Sequence, residues 1–191
     1  MIPNNIFSST PIPGGYSWTI ASRAGHILRT AENKYGKRDI SYTLLGIELT
    51  SEDNPQIWFP GNCGNIIIQI TENCIYDMNR AIFQVAHEII HCLCPKKLGS
   101  STYLEEGLAT YFSMEYLKEN GLQMLYPSEK YQLASTLTEQ LLSYDIDIIK
   151  NIRHKEPCIS EISESMISEY NSQIPSDLIK KLTTNFSVTF E

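Results

Sequence analysis

His87-Glu88-Ile89-Ile90-His91 and Tyr103-Leu104-Glu105-Glu106-Gly107-Leu108-Ala109-Thr110-Tyr111 are the two stretches on which the reading of this chain turns. The first is H-E-x-x-H inside an apolar run. On an α-helix, residues four apart lie about 40° from one another around the axis, so His87 and His91 share a face. Two imidazoles one turn apart can grip a single Zn²⁺, and Glu88, one step round, can reach a water on that ion. The second stretch offers a carboxylate that would complete three protein ligands around an open fourth position. Hydrolytic zinc needs that arrangement.

The surroundings of the first motif strengthen it. No Pro or Gly falls between Asp77 and Leu93. Met78, Ile82, Phe83, Val85, Ala86, Ile89, Ile90 and Leu93 make this helix apolar nearly all round, hence buried. Two histidines and a glutamate in a buried helix cost several kcal/mol unless something compensates them, and a bound metal compensates all three. Pro95 closes the helix. Fourteen residues separate His91 from Glu106, enough for a helix end, a loop (Lys96 to Ser101) and the first turn of a second helix. That helix is expected from Tyr103 to Glu119, capped by Ser101 or Thr102 and ended by Asn120-Gly121. Glu105 and Glu106 lie about 100° apart on it, so both can hardly bind one ion. The stripe of Leu104, Leu108 and Phe112 runs nearer Glu105, and an acidic pair is also what a helix start favours. Periodicity leaves the choice between the two glutamates open.

Outward from these motifs the chain reads as α+β. Residues 1–16 carry Pro3, Pro11, Pro13, Gly14 and Gly15 and suggest an extended arm. A helix is expected from Ser17, its N-cap, to Tyr35, with Gly36 as its stop and His26 as a surface or satisfied residue. Three strands follow: Ile40 to Thr50, Ile57 to Phe59, and Asn65 to Thr71, the last two joined by a hairpin turn around Gly61 to Gly64. Beyond the motif helices, Leu133, Leu137, Leu141, Leu142, Ile146 and Ile149 recur at helical intervals between Ser128 and Ile152. Residues 159–171 read as a solvated helix face or loop, and Ser176 to Leu182 as a short last helix.

Composition narrows the function classes. With 191 residues, 42% hydrophobic and 19% charged, the chain suits one globular domain or a compact domain in two lobes. Its net charge is −7 and its 15 Lys and Arg are scattered, which argues against nucleic acid or an anionic membrane as partner. The first residues lack the basic and apolar regions of a signal peptide, and no run approaches the roughly 20 apolar residues of a membrane span. A soluble, cytoplasmic protein is expected. Cys63, Cys74, Cys92, Cys94 and Cys158 are odd in number and irregular in spacing, which argues against a disulfide framework. Cys92 and Cys94 are expected as buried or half-buried thiols near a helix end.

The pairing of His87-Glu88-x-x-His91 with Leu104-Glu105-Glu106-Gly107-Leu108-Ala109-x-Tyr111 resembles the gluzincin zinc metallopeptidases. It is closest to the aminopeptidase-like and peptidase MA-like branches, whose second motif reads roughly W-L-x-E-G-x-A-x-Y. The resemblance covers about 25 residues. It implies a zincin-like fold over 1–191, with a small mixed three-stranded sheet and an N-terminal helix packed on the active-site helix. An α/β lobe (1–95) would precede a helical lobe (96–191) carrying the third ligand. It also makes Glu106, the Glu before the Gly, that ligand beside His87 and His91, with Glu88 as general base toward a zinc-activated water. Tyr103 stands where the family has Trp, the spacing between motifs is shorter, and no G-x-M-x-N signature of exopeptidases is present.

The activity implied is hydrolysis of a peptide or protein substrate with Zn²⁺ as cofactor. The strand from Ile66 to Ile70 is a candidate edge for pairing with an extended peptide. Gluzincins commonly take an oxyanion-stabilising Tyr or His from their helical part, and Tyr126, Tyr131, Tyr144 and His154 are the candidates. Two other readings compete. One is a catalytically silent zinc-binding module acting as sensor or scaffold. The other is a helical interaction protein with a chance HExxH.

Overall fold

In the computed structural model, which describes residues 5–61, 63–97 and 100–190, the chain is α+β. It has seven α-helices and a small mixed three-stranded sheet among the described residues. The N-terminal arm is not simply extended. Pro11–Ile12 (β1) and Gly15–Tyr16 (β2) pair as a tight hairpin, and Ile6 ahead of it is buried in the core. Ser17 does not cap the first helix. Its side chain instead accepts from the backbone N–H of Thr10 and closes the hairpin. The helix α1 (Ile20–Tyr35) is capped by Thr19, whose hydroxyl and the Ser22 side chain bond each other's backbone N–H. Gly36 at φ 95° ends it as expected.

The three strands are β3 (Thr43–Thr50), β4 (Gln56–Trp58) and β5 (Asn65–Thr71). β3 starts three residues later than the sequence suggested, because Asp39 accepts from the Ser41 N–H in a local turn. The β4–β5 hairpin forms, although Asn62 in its turn lies outside the described residues. The order is β3-β5-β4, with β3 parallel and β4 antiparallel to β5. This corrects the edge-strand expectation. β5, with its Ile run, is the central strand and is paired on both sides, so the edges belong to β3 and β4. Ile66, Ile68 and Ile70 turn one face inward against the helices. On the outer face Gln56, Gln69 and Glu48 form a side-chain ladder across all three strands.

Two helices carry the motifs. The helix α2 (Met78–His91) starts at Asp77, whose carboxylate accepts from the Arg80 N–H, and packs against α1 and the inner face of the sheet. Leu98 and Gly99 lie outside the described residues, and α3 (Tyr103–Glu119) packs on α2. Thr102 rather than Ser101 is the α3 cap. The long C-terminal helix is broken in two, α4 (Glu129–Tyr144) and α5 (Ile148–Arg153). Asp145 goes extended and Ile146, expected on the buried stripe, is 65% exposed. A single 3-10 turn (Ile159–Glu161), α6 (Glu164–Tyr170) and α7 (Ser176–Thr183) complete the chain.

A buried cation ties these parts together. Arg153, at the end of α5, donates to the carbonyls of Tyr35, Gly36, Lys37, Leu93 and Pro157. It thereby joins the end of α1 to the exit of α2. Beside it Cys94 and Cys158 form a disulfide, with Cα atoms 5.2 Å apart at a sequence separation of 64. This corrects the expectation of Cys94 as a thiol: only the return of the helical part over the end of α2 brings the two cysteines together. Cys92 remains a buried free thiol. Among the described residues no helix is long and apolar enough to cross a membrane.

Candidate metal centre

The crossing of α2 and α3 aligns the two motifs. His87 and His91, one turn apart on α2, turn Nε2 toward the same carboxylate. His87 Nε2 lies 3.1 Å from Glu106 Oε2, and His91 Nε2 lies 3.8 Å from Glu106 Oε1. One candidate ligand atom from each of His87, His91 and Glu106 lies within 4.8 Å of the others. Two Zn–ligand bonds of about 2.0–2.2 Å span up to roughly 4.4 Å, which covers both His–Glu106 separations, and two imidazoles with one carboxylate are a donor set that zinc takes. His87, Glu88 and Glu106 are all buried. The residues fit a divalent ion.

Glu105 does something else. Its Oε1 stands 3.1 Å from Nδ1 of His91, on the far side of the ring from Glu106. An ionised carboxylate only accepts, so Nδ1 keeps the proton and donates it, leaving Nε2 aimed into the site. The ambiguity between the two glutamates dissolves here: both meet His91, on different nitrogens.

Burial and charge oppose one another across this cluster. Burial raises the pKa of Glu88, against the pull of His91 and His87. For His91, burial disfavours the cation, yet Glu106, Glu105 and Glu88 outweigh it and carry the pKa up to about 10. For Glu106, burial works upward, but His91 and His87 bring the carboxyl down to about 2. Glu106 is thus anionic over the whole ordinary range. Glu88 is a stronger base than a free carboxylate.

The cluster lies in a cavity of about 620 Å³. Its floor is the stripe of Arg80, Gln84, His87 and His91 on α2. One wall is the approach to β4 and the strand itself, from Asn54 to Ile57. The other wall is α4 with the segment before it. Of the four oxyanion candidates, Tyr131 on α4 meets the site, its ring 5.7 Å from that of His87 in an edge-on arrangement. Burial, with Glu106 and Glu88 adding, pushes its hydroxyl up to about 12, so it stays protonated and can donate. Tyr126 also lines the cavity, largely exposed. Tyr144 faces a different recess beside α7, and His154 is exposed at the end of α5.

Gly107 explains how Tyr131 gets so close. A Cβ at this position would sit 2.3 Å from both the Ala134 carbonyl oxygen and Thr138 Oγ1. Only glycine lets α4 pass that near to α3, and Tyr131 is one turn before the crossing point. A glycine directly after a candidate ligand carboxylate was the available sequence signal for a close helix. The role of β4 and that of Glu105 had no such signal, since each depends on strand order or on side-chain direction.

Compared with family models, curated proteins and solved structures, the chain matches none.

Proposed function

We propose that the chain is a zinc-dependent metallopeptidase of the gluzincin type, zincin-like in fold, hydrolysing peptide bonds in a peptide or protein substrate. The observation that carries this is the convergence of His87, His91 and Glu106 within 4.8 Å, inside an open cavity that also contains Glu88. A zinc ion held by these three supplies Lewis acidity to a water and to the substrate carbonyl.

The chain's own residues do the rest. Glu88, made more basic by its burial, takes the proton from the attacking water and delivers it to the departing amine nitrogen. Tyr131, held protonated beside His87, donates a hydrogen bond to the oxygen that gains charge. Glu105 holds the proton on His91 Nδ1 and so keeps Nε2 free for the ion. The free edge of β4, which lines the cavity, pairs with an extended substrate backbone. The helical part, 96–191, contributes Glu106 and Tyr131, so both lobes are needed for one catalytic unit.

Tyr131 also weakens the silent-module alternative, which drew its support from the lack of an evident Tyr or His partner. For the compartment, the Cys94–Cys158 bond favours an oxidising one over the cytoplasmic placement that the sequence suggests. The test is metal analysis paired with Glu88→Gln. About one zinc per chain, peptide cleavage by the native protein, and loss of cleavage with zinc retained in the variant are expected. A native protein that takes up no transition metal refutes the proposal.

A further inference from the structure

The two ends of the cavity differ in charge. Three carboxylates, Glu88, Glu105 and Glu106, gather around the histidines. Beyond His91 the rim holds Ser100, Ser101 and Lys96, and the Lys96 ammonium is paired with Glu161. At the opposite end Arg80 lines the cavity among Asn54, Pro55 and Gln56, none of them charged. Its guanidinium meets Asp77 through Nε at 3.4 Å, and 45% of the side chain is exposed. Arg80 thus lines the cavity, and among the described residues no carboxylate other than Asp77 pairs with it.

Helix geometry sets how far Arg80 stands from the reacting centre. It precedes His87 by seven residues, about 20° round the axis and roughly 10 Å along it. An extended peptide advances about 3.3–3.6 Å per residue, so this distance is three residues, or four with the lean of the side chain toward the helix start. β4 borders the same length of cavity and offers a backbone edge that would hold a peptide extended along it.

Resting on the peptidase reading, we infer that Arg80 selects substrates. It takes a carboxylate, from an acidic side chain or from a chain terminus, three or four residues from the bond cleaved at the histidine pair. The guanidinium fork matches a carboxylate in two parallel hydrogen bonds. The protein as a whole carries −7 and repels acidic peptides at long range, so the preference is positional rather than a general attraction. Because the contact is remote from the reacting atoms and equally available before and during reaction, it acts on KM rather than kcat.

The experiment scans one Glu along an acetylated, amidated, alanine-rich octapeptide. A parallel series of neutral peptides ends in a free carboxylate at varied distance from a fixed Phe. Cleavage is followed with the zinc-loaded native chain, and binding by fluorescence polarisation with zinc-loaded Glu88→Gln, each with and without Arg80→Glu. Expected is a rise of roughly five- to tenfold in kcat/KM for a Glu three or four residues to one side of the cut, carried by KM. Arg80→Glu should reverse it in favour of Lys. A response confined to the second series identifies a terminal carboxylate as the ligand. If the native chain cleaves but its profile ignores Arg80→Glu, the inference falls and the peptidase reading stands. If nothing is cleaved yet acidic peptides bind and Arg80→Glu reverses the preference, the peptidase reading falls and Arg80 remains a carboxylate site. Flat profiles in both assays overturn the inference.

Discussion

Gly107→Ala separates the proposed metal-binding half of this site from its proposed substrate-activating half. The added methyl would meet the Ala134 carbonyl oxygen and Thr138 Oγ1 at 2.3 Å, whereas ordinary contact begins at 3.4 Å, so α4 must withdraw by roughly 1 Å. Overpacking of this kind costs about 1–3 kcal/mol. Alanine returns up to about 1 kcal/mol of helix propensity, leaving a net loss of about 1–2 kcal/mol. For a chain of this length that lowers the melting temperature by roughly 2–8 °C. The proposed zinc ligands lie on α2 and α3, so metal affinity, measured by competition with a chromophoric chelator, should stay within about threefold. Peptide cleavage should fall on the order of 10²-fold, the cost of misplacing Tyr131 by an ångström. Tyr131→Phe should lose about 10²–10³-fold by removing the donor itself. Because both changes act through one hydroxyl, the double variant should be no slower than Tyr131→Phe. Native-like cleavage by Gly107→Ala, or losses that multiply in the double variant, would refute the argument.

Glu105→Gln keeps an acceptor but removes its charge, and zinc affinity should drop about 10–100-fold while the apo protein melts lower near neutral pH, having lost part of what holds the His91 cation. Arg153→Met strands five carbonyls at the junction of α1 and α2, and urea denaturation should show a loss of about 3–5 kcal/mol. Cys94→Ser with Cys158→Ser removes a cross-link over 64 residues and should cost up to about 4 kcal/mol in the same assay, with zinc affinity preserved. The pH dependence of the metal-free protein follows from Glu106 on the acid side and His91 on the alkaline side, where Glu88, its pKa raised by burial, adds to the loss. His91, raised to about 10, stabilises fully below pH 6.5 and loses that contribution as pH rises through 10; Glu106, lowered to about 2, stabilises above pH 4.5 and loses it as pH falls through 2. Thermal melts of the apo protein should therefore peak between those inner limits, and zinc affinity should climb with pH as His91 gives up its proton.

What the sequence disclosed depended on how local the cause was. α3 begins and ends where the sequence suggested, since Thr102 and Asn120-Gly121 act within one turn of the ends they set. β5 likewise spans the expected Asn65–Thr71, because an unbroken Ile run has few alternatives. The break at Asp145 was hidden, because the leucine spacing continues across it and Ile146 keeps the phase of a stripe it does not join. Strand order was hidden too. Ile66 to Ile70 is the most apolar strand because it is central, which disqualifies it as a docking edge. The Cys94–Cys158 bond depends on the whole helical part closing over the exit of α2, a cause 64 residues wide.

The candidate site divides in the same way. His87, Glu88 and His91 come from one helical turn, and their common face needs no tertiary information. Glu106 could not be separated from Glu105 by periodicity, because the distinction is made by His91. That ring lies between the two glutamates, offering Nδ1 to one and Nε2 toward the other, so both are drawn inward and the apolar stripe need favour neither. Gly107 follows from the same crowding. A helix that brings two carboxylates to one imidazole exposes its next residue to the neighbouring helix, and only a residue without a side chain lets Tyr131 come up beside His87. The Glu-Glu-Gly run thus encodes three contacts in three successive directions: a positioned histidine, a candidate ligand, and the approach of α4.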